Sequence, residues 1–417
     1  MGLVQKDAFR TTLISYFGIL IGYLNKGVLF LIILSTAQIG LINLIISIGT
    51  LFAHLSSLGT GYMAWKFFPF MRNEAKKHHG FLAFILMIIG VGVIIYSTLY
   101  ILFREQIQQG YIEKSPLFLD YYYWVLPIGI SYVLFSVLEI YLRSLYKNVI
   151  AVFAYEVVLR LATTVILILK WLDVISFDLF VGLHSLLYII PTMILILYLK
   201  RINEFNVKLS SIQIPKRFKR IVFNFSTFSY VNTLGSVWVN SLDVLMIAQF
   251  VGLKATGVFT TVIFLTSVLQ VPYKSILRVS APLVADYWKH RQMDKMKELY
   301  TKVSSVCLVI GLTMFLLCWV NIDFLFSFLK PEFHDGIWVF LFIMIGKLVD
   351  MYFGMNGSIF STSKKYRYEV IFTFFLIFAV YGLNYLMIPM WGIAGAAIST
   401  SITLLVYNIG RLLFVWY

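Results

Sequence analysis

Residues 14–34 read ISYFGILIGYLNKGVLFLIIL. An apolar stretch of this length crosses the ~30 Å hydrocarbon core of a bilayer as a single helix. Asn25 and Lys26 interrupt it. An ammonium group in the middle of such a helix costs roughly 2.5–3.5 kcal/mol on insertion scales, so a lysine kept there needs a reason. The rest of the chain has the same character. Its 417 residues are 60% apolar and 13% charged, with a mean hydropathy of +0.87; in soluble proteins about a quarter of residues are charged. The apolar residues come in long blocks separated by short basic stretches, which is the pattern of an all-α integral membrane protein.

The formal charge of +15 would suggest nucleic acid in a soluble protein. Here it belongs to the connections between spans, where lysine and arginine set topology, and no nucleic-acid partner is expected. Cys307 and Cys318 fall within one apolar block, so they say nothing about disulfides or metal sites, and no metal-ligating residue is assigned. The leading MGLVQKDAFR runs straight into the first span without a small-residue cleavage site, so no cleavable signal is expected.

Twelve spans are expected, at roughly 11–34, 40–63, 80–103, 121–142, 150–170, 178–199, 221–250, 255–281, 303–328, 337–360, 369–388 and 392–416. With the N-terminus placed inside, the inner connections collect 23 lysines and arginines and the outer ones five. That asymmetry predicts both termini in the cytoplasm. The longest inner connection, KRINEFNVKLSSIQIPKRFKR at 200–220, divides the chain into a six-helix bundle at 1–205, a basic linker at 206–220 and a second six-helix bundle at 221–417. Two even sets enter the membrane in the same direction, as in duplicated transporters whose halves are related by an axis along the membrane normal. A shift of 217 residues lays LSTAQIGLINLIIS (34–47) over VGLKATGVFTTVIF (251–264). It equates Gly40 with Gly257 and Lys26 with Asp243.

The ionisable residues at membrane depth are the functional candidates. Glu139 and Arg143 stand four apart near a helix end and read as a local pair. For Glu156 and Arg160, also four apart, a self-neutralising pair and an arginine reaching a cavity are both open. Lys347 and Asp350 carry the same ambiguity. Arg411 lies near the inner surface and can snorkel, so it receives no role. Lys274 and Arg278 share a helix face after Pro272 with no acid in their own helix, and Lys26 has none within a turn. Lys26, Arg160, Lys274, Arg278 and Lys347 are therefore the expected lining of a cationic cavity suited to phosphate or carboxylate. Asn25, Asn240, Asp243 and Asp350 are the expected polar or ion-coupling residues. His54 and His184 read as cross-helix hydrogen-bonding groups, and the YYYW at 121–124 as an interfacial aromatic belt. No G-x-x-x-x-G-K-[ST], H-E-x-x-H or Asp-rich diphosphate motif occurs, so transport is expected rather than catalysis, with no cofactor.

Two stretches carry a resemblance: LSTAQIGLINLIISIGTLFAHLSSLGTGYMAWKFFP (34–69) and LNYLMIPMWGIAGAAISTSITLLVYNIGRL (383–412). The second, with Asn384, Ile388-Pro389, Gly392, Gly395, Ala396 and Ala397, resembles the polysaccharide (O-antigen type) flippases of the multidrug/oligosaccharidyl-lipid/polysaccharide (MOP) exporter superfamily. The resemblance implies a V-shaped, MATE-like pair of bundles working by alternating access in a bacterial inner membrane. It implies an oligosaccharide on a polyprenyl diphosphate as cargo, a Na+ or H+ gradient as drive, and glycan-assembly proteins as partners. Many relatives continue beyond the point where RLLFVWY ends, and some have fourteen spans, which leaves a C-terminal truncation open. The rival readings are a cation-coupled multidrug exporter, a peptidoglycan lipid-precursor flippase and a membrane scaffold for glycan assembly. A drug exporter wants carboxylates in its first half, whereas the first span here offers Lys26.

Overall fold

The computed structural model describes residues 3–215, 226, 230, 235, 237–239, 241–363 and 368–416. Among these residues all regular structure is helical. That follows from the solvent: in hydrocarbon every backbone N–H and C=O must be satisfied within its own segment, and a helix does so. The surface is apolar, with Leu20, Ile94, Leu317 and Phe378 among the exposed side chains, while Asn25, Asp243, Asn356 and Asn384 are buried. Oil outside and selected polar groups inside is the arrangement of a multi-pass membrane protein.

Two compact units are present: Met1–Ser35 with Leu41–Val237, and Thr36–Gly40 with Trp238–Tyr417. The first unit opens with α1 (Leu3–Leu24), which continues through a π-helical turn at Asn25–Leu29 into Phe30–Ile33. It continues with α2 (Thr36–Ser56), α3 (Thr60–Met71), α4 (Phe81–Leu102) and α5 (Val125–Ser144). A second π-turn, Ala154–Val158, leads into α6 (Leu159–Trp171), followed by α7 (Phe177–Leu187) and α8 (Ile189–Arg201). Its core gathers Phe68, Phe81, Leu138, Tyr141 and Leu199 from α3, α4, α5 and α8. The connection at 72–80 is fastened beneath that core. Nε2 of His78 meets Oε2 of Glu204 at 2.9 Å, and the backbone N–H of Asn73 donates to its Nδ1. The described part of the basic connection also joins this unit, through a hydrogen bond from Gln213 N–H to the His79 carbonyl.

In the second unit α9 (Leu253–Ser267) and α10 (Val271–His290) form one apolar run bent by 53°. Pro272 at the start of α10 offers no N–H to continue the ladder. Then come α11 (Met293–Val320), α12 (Ile337–Phe353), α13 (Met355–Thr362) and α14 (Glu369–Trp416). The core is built from Ile247, Phe259, Phe340, Met344, Ala396 and Ala397.

Among the described residues nine helices are long and apolar enough to cross a membrane, or ten with the bent pair. Three features separate this count from the expected twelve. The run α9–α10 is bent, the seventh expected span lies partly outside the described residues, and the last two fall in one 46-residue run. That run breaks at Gly392, whose φ of 55° and ψ of −135° are non-helical. A Cβ on Gly395 would run into the Met387 carbonyl and sit 3.1 Å from Ile388 N. Eight residues of straight helix would separate those positions by ~12 Å, so the chain doubles back. The motif glycines make that reversal.

The equated glycines also meet. A Cβ on Gly40 would run into the Leu253 carbonyl and sit 2.9 Å from Gly257 N, and one on Gly257 would run into the Thr36 carbonyl. The 217-residue shift that equates Gly40 with Gly257 also equates Thr36 with Leu253. The contact is therefore reciprocal, and it lies within the second unit, where Thr36 Oγ1 also donates to Glu332 Oε2 at 2.5 Å.

Candidate functional site

In the first unit the intramembrane polar groups converge where α1 passes α6. Both helices carry a π-turn here, a distortion that widens the helix and frequently accompanies functional sites. Gly18 and Gly22 let the backbones approach: a Cβ on Gly18 would lie 2.5 Å from the Glu156 carbonyl, and one on Gly22 would strike the Arg160 guanidinium. Small residues four apart are the usual means of such close packing in lipid. Arg160 pairs with Glu156 on its own helix and donates from Nη1 to the Gly18 carbonyl at 2.5 Å. Of the two readings left open for Arg160, the geometry gives the self-neutralising pair.

Asn25 is 3% exposed. Its Nδ2 donates to the Arg160 carbonyl at 2.8 Å, and its Oδ1 accepts from Thr164 Oγ1 at 2.8 Å. Lys26, the next residue, is exposed and within electrostatic reach of Arg160 and His184. It forms no ion pair among the described residues. His184 is buried among the rings of Phe30, Phe180 and Tyr188. His54 packs against Tyr132. The described contacts of both histidines are thus with rings, in place of the expected cross-helix hydrogen bonds.

In the second unit Asp243 is 6% exposed. Its Oδ1 accepts from Asn384 Nδ2 at 2.7 Å and its Oδ2 from Thr400 Oγ1 at 2.8 Å. Those donors stand on the two legs of α14 on either side of Gly392, so one carboxylate ties the legs together. Asn384 Oδ1 and Ser399 Oγ remain buried without a hydrogen-bond partner among the described residues. Asp243 forms no ion pair there either. Lys347 donates from Nζ to Thr266 Oγ1 at 2.8 Å. Lys274 is exposed on α10; it repels the like charge of Lys347 and attracts Asp350 without forming an ion pair with that carboxylate. Arg278 follows Lys274 by one turn on α10; its side chain, and Asn240 altogether, lie outside the described residues.

Arg411 departs from expectation. It does not snorkel but is 9% exposed, donates to Glu369 Oε1 at 2.5 Å, and lies 4.7 Å from the Tyr407 ring centroid and 5.6 Å from that of Phe360. The partner is 42 positions away in sequence, and the reversal at Gly392 brings the two together. Arg143 pairs with Glu139 as expected.

No protein-family model matches the chain, and no curated protein matches it. Solved structures do. An inward-facing multidrug resistance MATE family transporter of the MOP superfamily superposes with a TM-score of 0.75 at 14% identity, over 94% of this chain and 93% of its own. An outward-facing structure of such a transporter gives 0.59 at 15% identity, over 99% and 95%. A MOP superfamily transporter from Pyrococcus furiosus, reported for the reversed polarity of its binding pocket, gives 0.61 at 16%, over 99% and 95%. The fold is that of the MOP transporters.

Within this MOP fold, sequence reasoning located Lys26, Asp243, Lys274 and Lys347 but missed the groups that hold or accompany them. Thr164, Thr266, Thr400 and Glu369 look ordinary in apolar helices. Asn384 had a signal, because it heads the motif ending in Gly392 and Gly395. Its task, donating to Asp243 across 141 positions, is legible only in three dimensions.

Proposed function

We propose that this protein is a flippase that moves a polyprenyl-diphosphate-linked oligosaccharide across a bacterial inner membrane by alternating access. Lys26, Lys274, Arg278 and Lys347 bind the anionic headgroup. One observation carries the reading. Arg143, Arg160 and Arg411 pair with glutamates, while Lys26, Lys274 and Lys347 form no ion pair among the described residues. Lys274 and Lys347 share the electrostatic reach of one carboxylate, Asp350; uncompensated positive charge at bilayer depth is costly, and a bound diphosphate supplies the missing charge. The resemblance of residues 383–412 to the polysaccharide flippases supports the same cargo.

Asp243 is assigned the coupling cation, Na+ or H+. A buried carboxylate held by two neutral donors, with no cationic side chain paired to it, is poised to take up a proton or a small cation. A multidrug exporter is the second reading, favoured by the named function of the structures that superpose. The first unit disfavours it, because its deep carboxylate, Glu156, is already occupied by Arg160.

The test is translocation of a fluorescent polyprenyl-diphosphate sugar in proteoliposomes, run beside efflux of a cationic dye. Flipping of the lipid-linked sugar that falls at least about tenfold in Lys26→Ala and in Lys274→Ala/Arg278→Ala supports the proposal. Dye efflux without sugar-lipid flipping selects the exporter.

A further inference from the structure

Asn25 reaches across to a neighbouring span with both of its functional atoms engaged. Its Nδ2 binds the Arg160 carbonyl and its Oδ1 receives the Thr164 hydroxyl, each at 2.8 Å. The same hydroxyl lies 2.9 Å from the Arg160 carbonyl. Amide, carbonyl and hydroxyl thus close a small triangle between α1 and α6. Asn25 is also the first residue of the π-turn Asn25–Leu29, and Lys26 is the second.

A π-turn is an α-helix with one residue too many in a turn, so everything beyond it is rotated by about 100° from the α-helical register. Such a turn survives only where the surroundings hold it. Here the floor is Gly18, Gly22 and the Arg160–Glu156 pair, and the hold on the turn itself is Asn25. Because adjacent residues point about 100° apart around a helix, burying Asn25 against α6 leaves Lys26 exposed beside it. The neighbouring Arg160 is tied down by Glu156 and the Gly18 carbonyl, so Lys26 is the cation of this cluster left available to a ligand.

We infer that Asn25, with Thr164 behind it, is a positioning residue: it locks the π-turn to α6 and so presents the Lys26 ammonium to a diphosphate headgroup. Arg160 then belongs to the scaffold of this clamp and is not a headgroup ligand. The inference rests on the proposed role of Lys26 in headgroup binding. Loss of the amide leaves the fold intact, since Thr164 retains its hydrogen bond to the Arg160 carbonyl, but it frees the π-turn to relax and Lys26 to turn away.

The experiment is a double-mutant cycle on the full-length protein in lipid nanodiscs, read as Kd for farnesyl diphosphate, with thermal unfolding recorded for every variant. Asn25→Ala is expected to weaken binding about tenfold in the wild-type background and to have no further effect in Lys26→Ala. Thr164→Val is expected to weaken it about threefold and likewise to lose its effect without Lys26; it carries the cycle if Asn25→Ala does not fold. Equal losses with and without Lys26, or an Asn25→Ala that binds like wild type while Lys26→Ala binds weakly, overturns the positioning role and leaves the headgroup reading standing. A Lys26→Ala that binds like wild type overturns the headgroup reading and this inference with it.

Discussion

Arg143, Arg160 and Arg411 are held by glutamates while Lys26, Lys274 and Lys347 form no ion pair among the described residues, and side-chain chemistry fits that difference. A guanidinium is planar, forked and permanently charged, so it suits a fixed partner; a lysine is a compact charge on a flexible stem, suited to a ligand that comes and goes. The two classes should respond oppositely to neutralisation. Glu369→Gln strands Arg411 in a buried site, and a stranded buried charge destabilises by about 3–5 kcal/mol, seen as a lower unfolding temperature in detergent. Lys26→Met removes an unpaired ammonium worth roughly 2.5–3.5 kcal/mol of insertion cost, so its unfolding temperature should hold or rise while flipping falls. Outside the spans, His78→Ala leaves the Glu204 carboxylate and the Asn73 N–H without their partner and should cost about 1–3 kcal/mol. Sequence made Lys26 conspicuous because nothing acidic stood within a turn, and it offered the Glu156–Arg160 spacing directly. It could not reveal Arg411 with Glu369, a pair that depends on the reversal at Gly392, or Asn384 with Asp243, which lie 141 positions apart, because neither follows from helical periodicity.

At the scale of elements, the decisive residues are those that interrupt regular helix. Gly392 holds a positive φ, where a side chain costs at least about 1–2 kcal/mol, so Gly392→Ala should lower stability and loosen the hold of Asn384 and Thr400 on Asp243. Gly257→Val places a branched side chain against the Thr36 carbonyl and should cost about 1–3 kcal/mol or more. Gly90→Ala meets nothing within 4 Å and should be neutral or stabilise by up to about 1 kcal/mol. Thermal unfolding of the three variants side by side checks this order. The apolar blocks announced most of the helices, since composition alone decides what enters lipid. The π-turns had no such signal: a π-turn in α1 or before α6 is set by what packs beside it, and the GILIG of α1 records only that something approaches closely. The repeat was faint in sequence, yet the glycines it equated meet in the structure.

At the scale of the whole molecule, a MOP fold carries Lys26, Lys274 and Lys347 without an ion pair and a buried Asp243 without a cationic partner among the described residues. If Asp243 takes up the coupling ion, Asp243→Asn should abolish the dependence of flipping on an imposed Na+ or pH gradient while leaving the fold intact, because Asn384 and Thr400 can still bond to the amide. A gradient response unchanged in Asp243→Asn would remove that assignment.

The central claim is that the unpaired lysines bind a diphosphate. Its most direct measurement is the affinity of the protein in nanodiscs for a polyprenyl diphosphate and for the corresponding uncharged polyprenol. The account predicts that the diphosphate binds at least about tenfold tighter, about 1.4 kcal/mol, and that the preference collapses in Lys26→Ala/Lys274→Ala/Lys347→Ala. Equal affinity for the two lipids, or a preference that survives loss of all three lysines, would contradict it.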